Sequence, residues 1–190
     1  MAGDPLLIEQ YRLLHQDPEA FPGRTTSARH MYEIGIMIKR NRVNNLLDYG
    51  CGKAWQYSVD HIHIWWAAVR GWQGAQIVSG MPVRKYDPGV PSFADEPDPT
   101  RDRFDGVLCI DVMEHLSEAD VLPIMCDLVQ MAQKMLFVTA CTREAKRMLP
   151  DGRNAHVTIR EENWWRDRFA TAVKRGHKSS TFDAKLEFTL

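Results

Sequence analysis

Apolar and polar positions change period several times along this chain. Between residues 27 and 40 the apolar side chains Met31, Ile34, Met37 and Ile38 recur at threes and fours, which predicts one face of a helix. A shorter helix is expected at 5–14, where Leu6, Leu7, Tyr11 and Leu14 fall partly on one face. "NLLDYG" predicts a strand running into a glycine turn; "FDGVLCID", with Val107 to Ile110 consecutively apolar, predicts a strand covered on both faces of a parallel sheet, and "KMLFVTAC" another buried strand. "PVRKYDP" predicts a strand end stopped at Pro88. "SEADVLPIMCDLVQMAQ" reads as a helix capped by Ser117, with Asp120 three residues on as a weaker capping-box partner. "TIREENWWRDRF" predicts a helix beginning near Thr158, with Glu161 as its box partner. The end, "DAKLEFTL", sets Ala184, Leu186, Phe188 and Leu190 against Asp183, Lys185, Glu187 and Thr189. That period of two predicts a strand with one wet face, expected to be antiparallel and near an edge.

Between these elements lie "QDPEAFPGRTTSAR", a turn-rich linker, and "SVDHIHIWWAAV", which is ambiguous between helix and irregular structure. Residues 88–103, rich in proline and charge, form an expected surface loop. Helix and strand alternate, which argues for an α/β domain with a largely parallel sheet. A chain of 190 residues supports one sizeable core. The expected division is an N-terminal extension, 1–26, packing on or near a domain at 27–190.

Composition narrows the function classes only slightly. The net charge is -1, with 44% hydrophobic and 26% charged residues, so global charge does not argue for nucleic-acid or membrane binding. The distribution is uneven. Residues 1–142 hold 13 Lys/Arg and 18 Asp/Glu, whereas 143–178 hold 10 and 5. That basic segment is a candidate face for an anionic substrate, against the plainer reading of a solvated surface. Cys51, Cys109, Cys126 and Cys141 form no Cys-x-x-Cys motif and are read as reduced thiols of a cytoplasmic protein. No run of 18 apolar residues would span a membrane, and no signal-peptide pattern opens the chain.

Gly50 and Gly52 directly follow a strand end. Glycine there allows positive backbone torsions and the close approach of another group, and such a turn offers N–H groups to a ligand. The dinucleotide fingerprint fails, because Trp55 stands three residues after Gly52, and no phosphate-binding Gly-Lys-Ser/Thr follows. Asp87 ends the next strand, where a carboxylate accepts ribose hydroxyls or simply initiates a turn before Pro88.

"LLDYGCGKA", "KYDP" and "FDGVLCIDVMEHL", in that order, resemble the motifs of class I S-adenosylmethionine-dependent methyltransferases, in particular small methyltransferase-like proteins of unclear substrate. The resemblance covers roughly residues 30–142. It implies a Rossmann-like sheet with helices on both faces, abbreviated around the third strand. It also implies S-adenosylmethionine as cofactor, held by Asp48, Gly50, Cys51, Gly52, Asp87, Asp111 and Val112, with Ala54 standing where a third glycine is usual. Glu114–His115 resembles the Glu-His pair common in small-molecule methyltransferases.

Methyl transfer needs a positioned acceptor and, for O or N atoms, a group to take its proton. His156, His115 and Glu114 are the candidate catalytic residues. Glu114, His115, His156 and Asp111 partly resemble the metal site of small-RNA 2′-O-methyltransferases, but Asp111 is shorter than the glutamate there, and no metal is expected. The tryptophan pairs 65–66 and 164–165 read either as stacking platforms or as helix packing, with one ring of each pair buried. The expected activity is methyl transfer to an O or N atom of a small-molecule or nucleotide-like acceptor. The alternatives are a nucleic-acid methyltransferase and an inactive binding or regulatory domain. "DVME" stands where base N-methylating enzymes carry an Asn/Asp-Pro-Pro-aromatic signature, and nucleic acid is the less favoured partner.

Overall fold

The computed structural model describes residues 3–17, 27–54, 57, 81–176 and 180–189. Most of the 16–29 linker, "SVDHIHIWWAAV" and the pair at 65–66 lie outside the described residues. Along the chain come α1 (Pro5–Gln16), α2 (Ser27–Arg40), β1 (Leu46–Tyr49), β2 (Val83–Tyr86) and β3 (Phe104–Cys109), followed by α3 (Glu118–Met131), β4 (Ala132–Cys141), α4 (Glu162–Arg175) and β5 (Asp183–Thr189). Short 3₁₀ turns occupy Pro91–Phe93 and Met113–His115. The strands form one sheet in the order β2-β1-β3-β4-β5, and every pairing is parallel. This is a small α/β domain, Rossmann-like in general: a parallel sheet flanked by helices. Between β2 and β3 the structure has the Pro91–Phe93 turn and loop, and no strand.

Alternation along each strand sorts the core into two layers. Leu47, Val107, Cys109, Leu136 and Val138 face α3 and α4, where they pack with Val121, Leu128 and the fully buried Trp165. Leu46, Leu108, Met135 and Phe137 face the other way, against Ile34, Met37 and Ile38 of α2. Those three α2 residues are the buried stripe that the helical spacing predicts.

The C-terminal strand corrects an expectation. β5 runs parallel to β4, in register from Met135 opposite Asp183 to Cys141 opposite Thr189. A period of two reports which side chains share a face and carries no information about direction. Here α4 carries the chain back across the sheet before β5 begins, so β5 must run with β4. The wet face is also absent: residues 183–188 are all half-buried. Their polar side chains meet α2 instead. Asp183 binds Arg40 and Asn41, Lys185 lies 2.9 Å from Glu33, and Glu187 lies 2.7 Å from His30 Nδ1.

Two helix starts also differ from the capping pattern. α4 begins at Glu162, not near Thr158. Thr158 is committed elsewhere: its N–H donates to Glu114 O at 3.0 Å and its hydroxyl to Leu116 O at 2.6 Å. Ser117 does flank α3, but its hydroxyl donates to the Asp120 carboxylate at 2.7 Å and does not accept a helix N–H.

Trp165 is fully buried and its indole N–H donates to Arg160 O, whereas Trp164 is half-buried under the Arg168 guanidinium, 3.9 Å from its ring centre. Trp165→Ala is therefore expected to lower unfolding free energy by about 3–5 kcal/mol, and Trp164→Ala by well under half of that, as read from urea denaturation midpoints.

Candidate functional site

The sheet changes winding direction between β1 and β3, the place where open α/β sheets leave a crevice at the carboxyl ends of their strands. A cavity of about 780 Å³ opens there, with Asp48, Gly52, Asp87, Asp111 and His115 among its lining. One face of α1, carrying Asp4, Leu7, Ile8, Tyr11 and His15, forms its opposite wall. α1 is started by Asp4, whose carboxylate accepts the N–H groups of Leu6 and Leu7. It is anchored by Leu7 and Leu14, buried against Leu149 and Ala155.

The glycine turn is closed from within. Gly50 N–H and Cys51 N–H both donate to Tyr86 O, at 2.7 and 3.0 Å, and Gly52 N–H donates to Asp87 Oδ2 at 2.8 Å. A turn of this kind was expected to offer N–H groups to a ligand; here those of residues 50–52 are taken by Tyr86 and Asp87. The two glycines also answer to different constraints. Gly50 has φ +80° and a Cβ there would overlap the Val112 side chain, so a neighbouring turn excludes side chains, not a ligand. Gly52 has φ +56°, and among the described residues no atom lies within 4 Å of a Cβ position there. Ala54 adopts φ +54°, the left-handed torsion that glycine would take without cost.

Asp87 Oδ1 accepts Gly89 N–H at 2.9 Å and faces His15 Nε2 at 3.9 Å. Burial raises the Asp87 carboxyl pKa, and His15 with the two N–H groups pulls it back. Asp48 is buried and accepts the Tyr57 hydroxyl at 2.8 Å. Cys51 lies buried on the cavity wall, its thiol pushed up by burial and by the Asp48 and Asp87 carboxylates. Asp111 holds φ +54° through a reciprocal pair: its N–H donates to Thr139 Oγ1 and the threonine hydroxyl returns to Asp111 Oδ1, both at 2.8 Å.

Of the three candidate catalytic residues His115 and His156 line the cavity, whereas Glu114 is fully buried beside His156 and is not part of the lining. His115 keeps an accessible edge on the wall, with Nδ1 2.8 Å from Ala155 O and 3.2 Å from the Tyr11 hydroxyl. Burial, followed by the neighbouring His156, lowers its pKa to about 4, so it is neutral at pH 7. His156 lies 4.9 Å from it, ring centre to ring centre. Its Nδ1 is 2.6 Å from Arg143 O and its Nε2 is 3.9 Å from Glu114 Oε1. Glu114 is fully buried, and burial, with Asp111 adding to it, raises its pKa to about 8. Its own N–H and that of Cys141 lie near enough to favour ionisation, yet neither carboxylate oxygen has a well-formed hydrogen bond.

Sequence reasoning passed over Tyr11, His15 and Cys141. Tyr11 donates to Ala155 O at 2.5 Å and Cys141 lines the cavity. The signal for α1 was available in the spacing of Asp4, Leu7, Ile8, Tyr11 and His15, which share one helical face. Of the basic residues, Arg143, Lys146 and Arg147 line the cavity, whereas Arg153 pairs with Asp151 and Arg160 with Glu118. Among the described residues no helix is long and apolar enough to cross a membrane. In comparisons with family models, curated proteins and solved structures, nothing matches this chain.

Two predictions follow from this geometry. Gly50→Ala is expected to destabilise the fold by several kcal/mol, through overlap and the positive φ, on the order of the larger steric losses seen in cores. Adding Val112→Ala should restore part of that loss; strict additivity of the two variants in urea denaturation would refute the contact. The second concerns pH. A folded Glu114 pKa of about 8 against an ordinary 4.5 means the folded state holds the extra proton, so stability falls as pH rises between those values. His115 acts the opposite way, costing stability as pH falls from 6.5 towards 4. Between pH 6.5 and 8 Glu114 acts alone of the two, and Glu114→Gln should flatten a decline approaching about 1.4 kcal/mol per pH unit, measured by urea denaturation with a chelator present.

Proposed function

We propose that this chain is an S-adenosylmethionine-dependent methyltransferase acting on an O or N atom of a small-molecule or nucleotide-like acceptor. The observation that carries the reading is the convergence, on one cavity at the switch point, of the three motifs whose order in the sequence resembles that family: Asp48 to Gly52, Asp87 and Asp111–Val112. The coarser statement stands without it: the fold is compatible with a nucleotide-binding pocket in general.

The residues present fit the cofactor in part. The space left beside Gly52 by the described residues, and Asp87 on the cavity wall, support this reading, in which Asp87 would receive ribose hydroxyls. Because the N–H groups of residues 50–52 are spent within the protein, the amino-acid end would be held by Asp48 and by packing against the turn. The bound cofactor supplies a methyl group activated by a sulfonium. The chain's work is to place the acceptor and manage its proton. His115, neutral at pH 7, and His156, both on the cavity wall, would accept that proton in this reading. Arg143 and Lys146 on the wall favour an acceptor that carries negative charge, which is also what supports the nucleic-acid alternative.

Calorimetric titration with S-adenosylmethionine and S-adenosylhomocysteine tests the reading. One site of micromolar affinity is expected. Asp48→Ala and Asp87→Asn should each weaken it tenfold or more, about 1.4 kcal/mol, with the circular dichroism spectrum unchanged. A folded wild-type protein that binds neither compound overturns the reading.

A further inference from the structure

We infer that Glu114, Cys141 and His156 form a binding site for one divalent transition metal of the zinc class, open towards the cavity. Their donor atoms, a carboxylate oxygen, a thiol sulfur and an imidazole nitrogen, all lie within 4.8 Å of one another. They come from three separate parts of the fold: the turn after β3, the last residue of β4 and the loop before α4. Bond lengths of a tetrahedral zinc site place its ligand atoms roughly 3.3–3.8 Å apart, so small side-chain rotations close the group around an ion.

Three independent features point to a cation. The Glu114 side chain is fully buried, and neither of its oxygens has a well-formed hydrogen-bond partner among the described residues. Burying a carboxyl in that state is costly unless something compensates it. The histidine tautomer is set for ligation. His156 Nδ1 sits 2.6 Å from Arg143 O, which can only accept, so Nδ1 carries the proton and Nε2 presents its lone pair on the side of Glu114. The donor chemistry is selective: sulfur and imidazole together favour zinc, cobalt or nickel over magnesium or calcium.

Cys141 and His156 both line the cavity. Three protein ligands with the fourth position facing the cavity is the arrangement of a site that binds water or a substrate oxygen, not of a closed structural site. On binding, Cys141 ligates as thiolate and Glu114 as carboxylate, and the proton that each gives up passes to the buffer. The set differs from the one suggested by sequence resemblance. His115 has Nδ1 committed to Ala155 O and Asp111 is tied to Thr139, and neither belongs to the group. The inference does not depend on the cofactor reading.

The test is titration of metal-free, reduced protein with Co²⁺, without S-adenosylmethionine, followed by Zn²⁺ displacement. The expected result is one equivalent per chain, with a near-ultraviolet sulfur-to-cobalt absorption band that Zn²⁺ abolishes. Cys141→Ser should remove the band and Cys126→Ser should keep it. Glu114→Gln and His156→Ala should each weaken binding tenfold or more. Cys141 is only partly buried, so its variant is the informative one should Glu114→Gln fail to fold. Absence of the band in folded wild-type protein, or a band that survives Cys141→Ser, overturns the inference.

Discussion

The candidate site depends on one clasp. The end of β2 takes three successive N–H groups from the turn after β1, two on Tyr86 O and one on the Asp87 carboxylate. This needs Tyr49 and Tyr86 side by side in the parallel register of the two strands. It also needs a chain that can turn left-handed at residues 50, 52 and 54. With the turn pinned on one side, the other is fixed by contact: Gly50 leaves room for Val112, which follows β3. The cavity floor is thus a product of sheet register, and Asp48, Asp87 and Asp111, at or just beyond the strand ends, line it.

The wall opposite is built by weaker means. α1 is held by two buried leucines, by the Tyr11 hydroxyl on Ala155 O, and by Asp4 N–H donating to Asp120. Through it His15 meets Asp87, so a helix far away in sequence influences the charge at the end of β2. The cavity is therefore shaped by a rigid sheet edge on one side and a docked helix on the other.

Its far end carries an electrostatic cost. A neutral histidine, a carboxyl with no well-formed hydrogen bond among the described residues and a partly exposed thiol are held together by a buried turn and by a loop that Thr158 pins back to it. Groups of this kind do little for stability. Stability comes from the two apolar layers of the sheet, and the polar end is carried by them. Of these groups the histidine and the thiol line the cavity, and the carboxyl is buried behind them.

Much of the scaffold was legible in local sequence. The 3–4 spacing of Ile34, Met37 and Ile38 and the unbroken apolar runs in β1, β3 and β4 report burial, and burial fixes helix and strand. The acids and glycines after those strands were legible too, because few residues tolerate such turns. Three things were not. The direction of β5 depends on where α4 delivers the chain, which a period of two does not encode. The loss of the free N–H groups at Gly50–Gly52 depends on a partner more than thirty residues away, Asp87 being 35 residues from Gly52. The meeting of Glu114, Cys141 and His156 depends on the return of the loop after β4. Local spacing determines which side of an element is apolar and where the backbone must turn; only the packed sheet decides which distant polar atoms come within bonding reach, because those distances are set by register and crossover, not by neighbours in the chain.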